Sequence, residues 1–111
     1  MAERRTGEPF LRVDAAEGRA LLDQPDVRWI DVREPAEWHR GRIPGAVLVP
    51  LNSLLLSPRQ YLRDGRVVFY CAQGIRSAVA CEVAAAVGLT QAYNLEGGIQ
   101  DWEAQGLPIE R

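Results

Sequence analysis

The sequence predicts an α/β domain: a five-stranded parallel sheet with helices on both faces and an active loop after the central strand. Three observations predict it. Short apolar runs of strand length alternate with helical patterns along the whole chain, as βαβ units require. The run Val67-Val68-Phe69-Tyr70 is apolar without interruption, which suits a central parallel strand covered on both faces. Turn and stop signals (Pro44-Gly45, Pro50, Asp64-Gly65 and Gly88) fall between the segments.

In order, a first strand is expected over residues 10–13, and Asp14 is placed to cap a helix running to about Leu22. A second strand covers 27–32. Pro35 then suits the first turn of a short helix carrying Glu37 and Trp38. A third strand covers 46–49, followed by short helices over 51–56 and around 59–62. The fourth strand, 66–70, leads through a loop into a helix over 77–87, and a fifth strand covers 92–95. Gly97-Gly98 opens a last helix carrying Trp102, which closes near Gly106 with Pro108 beyond it. Trp29, Trp38 and Trp102 read as core.

The 111 residues fit one domain, expected over 1–111 with its core at about 10–109. With 47% apolar and 25% charged residues the composition is that of an ordinary globular protein. A net charge of −2 points to neither nucleic acid nor an anionic membrane as partner. All 13 basic residues are Arg, which removes Schiff-base chemistry on a lysine. No apolar run approaches the ~18 residues of a membrane span. The N-terminal run from Met1 to Pro9 leads into no apolar signal segment. Cys71 and Cys81 form neither a CxxC pair nor a zinc-ligand spacing, so free thiols in a reducing, cytoplasmic compartment are expected. No long apolar surface pattern is left over, and the expectation is a monomer.

In open α/β sheets ligands bind beyond the carboxyl ends of the strands. Cys71 stands there, at the end of the most buried strand. A thiol acts as nucleophile only when ionised, and its free pKa of about 8.5 must be lowered for that at neutral pH. Its surroundings offer three means. The backbone N–H groups of Ala72, Gln73, Gly74, Ile75 and Arg76 can turn inward as an anion nest, Gly74 supplying a positive φ. The helix beginning at about Ser77 points its positive end at the sulfur. Arg76 adds one permanent charge. The alternative is a buried strand-end cysteine with no chemistry. Cys81, within Ala80-Cys81-Glu82-Val83, reads as packing.

The loop Cys71-Ala72-Gln73-Gly74-Ile75-Arg76-Ser77 resembles the active-site loop of rhodanese-like sulfurtransferases. Asp31-Val32-Arg33-Glu34-Pro35-Ala36-Glu37-Trp38 with Gly41-Arg42-Ile43-Pro44-Gly45-Ala46 is similar to that family's N-terminal signature. Leu95-Glu96-Gly97-Gly98-Ile99-Gln100-Asp101-Trp102 with Gly106-Leu107-Pro108 is similar to its C-terminal one. As a single-domain member, the chain is expected to move a sulfane sulfur through a persulfide on Cys71. The resemblance implies a small donor, thiosulfate or a persulfide, and a thiol, cyanide or protein acceptor. It implies no metal and no organic cofactor. Cys71 would be catalytic, with Ala72 to Ser77 binding the substrate.

Phosphatases and arsenate reductases of the same fold use Cys-x5-Arg; here four residues separate Cys71 from Arg76. The shorter nest suits one sulfur atom better than a tetrahedral oxyanion. A non-catalytic binding module is the other alternative. Asp31 and Arg33 lie on the site face as supporting residues, in a buried Asp31–Arg33 or an Arg33–Glu37 pair. Arg42, where the family often has His, falls in a segment expected on the far face. His39 reads as an exposed helix-end residue. The uncharged run from Ala72 to Ile75 predicts that thiosulfate is a poor donor.

Overall fold

The computed structural model describes residues 7–111. The reading of the N-terminal run therefore falls partly outside the described residues. Five strands, β1 (Leu11–Val13), β2 (Val27–Asp31), β3 (Val47–Leu48), β4 (Arg66–Tyr70) and β5 (Ala92–Leu95), form one parallel sheet in the order β1-β5-β4-β2-β3. Among the described residues there are six helices, five between strands and one after the last: α1 (Ala15–Leu22), α2 (Pro35–Arg40), α3 (Leu51–Leu56), α4 (Pro58–Tyr61), α5 (Ile75–Ala86) and α6 (Gly98–Ala104).

Local chemistry accounts for the starts of these elements. The Asp14 carboxylate accepts from the Glu17 N–H at 2.8 Å, and the Glu17 carboxylate accepts from the Asp14 N–H at 3.0 Å, a reciprocal cap on α1. Pro35 opens α2 where a missing N–H costs nothing. The β4 residues Val67, Val68, Phe69 and Tyr70 are all fully buried, because both faces of this central strand are covered.

Alternation along β4 divides the core. Val67 and Phe69 face the layer that holds Ala80, Cys81 and Ala84 of α5. Val68 and Tyr70 face the layer of Trp29, Ile43 and Trp102. Continuing the alternation, Cys71 turns to the α5 side, towards that helix's start. Small residues at 80, 81 and 84 let α5 lie close against the sheet.

Three expectations need correction. Helix α5 begins at Ile75, two residues before Ser77, because Gly74 takes a left-handed φ of 91° as N-cap. Ile75, Arg76 and Ser77 are therefore its first turn. Trp38 is only half-buried and lies under the Arg42 guanidinium, 5.1 Å from the ring centroid, instead of in the core. Trp29 and Trp102 are core residues in edge-to-face contact. Finally, Leu55, Leu56, Ile75 and Val79 are exposed apolar side chains that the sequence reading did not foresee. Among the described residues, no helix is long and apolar enough to cross a membrane.

Candidate active site

The Cys71 sulfur lies inside the turn that follows β4. It accepts from the Gly74 N–H at 3.2 Å and from the Ser77 N–H at 3.4 Å, and the Ser77 hydroxyl is 3.4 Å away. The sulfur thus sits over the N-terminus of a 12-residue helix, where unpaired N–H groups and the dipole favour negative charge. Burial pushes the thiol's pKa up. The Ser77 hydroxyl, when it turns from Asn94 to the sulfur, and the N–H groups of Ser77, Gln73 and Gly74 pull it down and prevail, leaving it below the ordinary value. Cys81, fully buried in the α5 core, is pushed well above the ordinary value by burial. A lowered pKa means ionisation at lower pH. Iodoacetamide is therefore expected to alkylate Cys71 with a midpoint below the ~8.5 of a free thiol, with Cys81 silent. A Cys71 midpoint at or above that value would contradict this geometry.

The hydroxyl of Ser77 has one proton to give. It donates to Asn94 Oδ1 at 2.6 Å, and the Asn94 amide donates to the Gly74 carbonyl at 3.1 Å. With Cys71 as a thiol, S–H can donate to Ser77 Oγ. With Cys71 as a thiolate, the hydroxyl can turn to the sulfur only by leaving Asn94. Asn94 is buried in β5, the strand next to β4, and the sequence reading missed it. The available signal was one amide side chain in the otherwise apolar strand Ala92-Tyr93-Asn94-Leu95.

Helix α6 fastens the rest of the turn. The Ile99 N–H donates to the Cys71 carbonyl at 2.9 Å, and the Gln100 N–H to the Ala72 carbonyl at 3.1 Å. Gly98 permits this approach: a Cβ there, at φ 64°, would collide with the Ala72 carbonyl. The Gln73 side chain donates to Gln100 at 3.2 Å. Two of the three similar segments of the sequence, the Cys71 loop and the C-terminal one, thus meet at one turn. The sequence matches the Rhodanese-like domain family over residues 14–105. The chain belongs to the rhodanese-like family.

Its relatives include a sulfurtransferase of Allochromatium vinosum, 39% identical over 80% of this chain and 83% of that protein. Another is the thiosulfate sulfurtransferase GlpE of Vibrio cholerae, 27% identical over 91% of this chain and 95% of that one. The chain also matches the tRNA uridine(34) hydroxylase of Cronobacter sakazakii at 33% identity, but spans only 30% of its length. Among solved structures, a rhodanese-related protein of Thermoplasma volcanium superposes with a TM-score of 0.79 at 32% identity, covering 89% of this chain and 96% of that one.

Of the two pairs left open for Arg33 by the sequence, this rhodanese-like site forms the one with Asp31. Arg33 does not pair with Glu37. Its Nε lies 3.0 Å from both Asp31 oxygens, and its Nη2 donates to Asp31 Oδ2 and to the Gly41 carbonyl, each at 2.7 Å. Asp31 and Arg33 therefore form the buried pair, tying the end of β2 to the end of α2. Gly41 consequently stands on the site side. Only the later part of its segment, at Gly45, reaches the far end beside Val27. Arg42 pairs with Glu110 at 3.2 Å. His39 is exposed on α2, and no interaction joins it to Cys71.

Glu37 belongs to Arg76. The guanidinium donates to both carboxylate oxygens, at 2.7 and 3.0 Å. Hydrogen bonding to Arg76 is the main reason the Glu37 carboxyl is held down at about 2. Arg76 also interacts with the Cys71 sulfur, more weakly than with Glu37. Beside the turn lies a cavity of about 210 Å³ bounded by Ala72, Ile99, Glu37, Arg40, Glu103 and Arg111.

Proposed function

We propose that this protein is a sulfurtransferase that carries a sulfane sulfur as a persulfide on Cys71, with residues 72–77 binding the transferred atom. The observation that carries this reading is the sulfur's position. It accepts two backbone N–H groups at the start of α5, and its pKa is lowered despite burial. Family membership and the sulfurtransferase relatives support it.

In the first half-reaction the Cys71 thiolate attacks the outer sulfur of the donor. A new S–S bond forms, the donor's S–S bond breaks, and its electron pair leaves on sulfite or on a thiolate. The terminal persulfide sulfur carries negative charge, which the inward N–H groups of the turn stabilise as an oxyanion hole stabilises oxygen. In the second half-reaction a thiol, cyanide or a protein nucleophile attacks that terminal sulfur, and Cys71 leaves as thiolate. The lowered pKa that makes Cys71 available as nucleophile also makes it a good leaving group. No other group has to hold the sulfur between the two steps.

Ile75, exposed at 71% on the first turn of α5, gives the mouth an apolar contact suited to a protein acceptor. Four residues between Cys71 and Arg76 speak against the phosphatase and arsenate alternatives. Both cysteines are free, in keeping with a reducing cytoplasm, and the whole chain acts as one domain and as a monomer on this reading.

The test is the first half-reaction without acceptor. Protein treated with excess thiosulfate is expected to release about one sulfite per chain and then stop, as a covalent carrier must. No release, and no thiol release from any persulfide donor, would favour a binding module.

A further inference from the structure

We propose that Glu37 selects the donor: by cancelling the charge of Arg76 it makes the mouth of the Cys71 turn favour sulfane donors of low charge over the thiosulfate dianion. This rests on the sulfur-transfer reading and names the substrate class of the same site.

The argument begins with a charge census. Among residues 72–77 only Arg76 carries a full charge. It makes a two-pronged ion pair with Glu37, 39 positions away in sequence. The fork geometry fixes the guanidinium against α2, and the pair is partly buried, so water screens it incompletely. The neighbouring cations are also engaged. Arg33 is held by Asp31, and Arg111 is paired with Glu103. Arg40 is the one arginine of the adjoining cavity without an ion pair among the described residues, and it stands exposed at the end of α2, where water screens it. The mouth therefore presents inward N–H groups with almost no net charge.

Neutral dipoles stabilise one negative sulfur at close range. They do little for a second negative charge on the sulfonate end of thiosulfate, which must give up hydration on entering. The attraction between a unit charge and a ligand doubles when the ligand's charge doubles, so cancelling Arg76 penalises a dianion about twice as much as a monoanion. Glu37 is a positioning residue here, acting through Arg76.

Two donors isolate this effect. Thiosulfate and methanethiosulfonate offer the same kind of outer sulfur but carry two charges and one. With either, Cys71 forms the new S–S bond, and the electron pair of the broken bond leaves on sulfite or on methanesulfinate. Cyanide serves as acceptor for both. The readout is the ratio of kcat/KM for thiosulfate to that for methanethiosulfonate. In Glu37→Gln the side chain can still accept the Glu34 N–H that caps α2. This variant is expected to raise the ratio about fivefold, with a steeper loss on adding salt. Arg76→Gln is expected to lower it by about as much. The double variant restores neutrality and should return to within about twofold of the unmodified protein.

An unchanged ratio in Glu37→Gln, or a double variant displaced further than either single one, overturns the proposal. The second pattern is what a purely structural role would produce. A readout independent of turnover comes from the rates of Cys71 alkylation by iodoacetate, an anion, and iodoacetamide, which is neutral. Glu37→Gln should shift their ratio towards iodoacetate. If the unmodified protein turns over neither donor, the sulfur-transfer reading fails. The alkylation ratio then still decides whether Glu37 sets the charge at Cys71.

Discussion

Replacing Cys71 with Ser is expected to lower sulfur transfer by at least ~10³-fold, to the background of the uncatalysed reaction, while leaving the fold intact. The size follows from the chemistry. A serine hydroxyl remains protonated at neutral pH under the same N–H groups that lower the thiol's pKa, and it cannot carry a labile sulfur. The substitution is nearly isosteric, and the Ser77 and Gly74 N–H groups that now meet sulfur can meet oxygen instead. Thiocyanate formation from cyanide with any sulfane donor measures the loss, and circular dichroism confirms folding. Residual activity within tenfold of the unmodified protein would mean that the reactive group lies elsewhere.

The second large effect is expected at Gly74. Its φ of 91° alone costs a side-chain-bearing residue about 1–2 kcal/mol. A Cβ there would also overlap the Glu96 carbonyl oxygen, with the carbonyl carbon only 2.9 Å away. Both atoms belong to backbone, so no side chain can swing aside. Something must move, either the end of β5 or the turn that carries the Gly74 N–H to the sulfur. Gly74→Ala is therefore expected to cost about 3 kcal/mol or more in stability, lower the thermal midpoint by roughly 10 °C or more, and raise the Cys71 pKa. Gly88 separates the two causes. Its φ is 103°, but nothing lies within 4 Å of a Cβ there, so Gly88→Ala should show only the strain of about 1–2 kcal/mol. Equal losses at the two positions would show that overlap with Glu96 matters little.

Much of this architecture was legible before any coordinates, because its causes are local or periodic. Alternation of segment types fixes the α/β class, and the apolar run of β4 marks the centre of the sheet. Asp14 caps α1 through Glu17, three positions on, so the cap is visible in four residues of sequence. The turn after Cys71 is legible for the same reason. What was missed depends on strand order and helix placement. Asn94 serves the turn because β5 lies beside β4, an adjacency no local pattern encodes. Glu37 meets Arg76 because the short helix α2 lies across from the start of α5, so Arg76 looked unpaired when read alone. The early start of α5 follows from Gly74 acting as cap without a side chain, which leaves no capping residue to read. These three omissions share a consequence. The position of the sulfur could be read from the sequence, but the charge balance around it could not.

The most direct test of the account asks where the sulfur resides. Protein incubated with thiosulfate or methanethiosulfonate, freed of donor and kept from reductant, is digested and sequenced by tandem mass spectrometry. The account predicts the mass of one added sulfur atom on the peptide containing Cys71, none on Cys81, and none anywhere in Cys71→Ser. An unmodified Cys71 after every sulfane donor, or sulfur found on Cys81 instead, would contradict it.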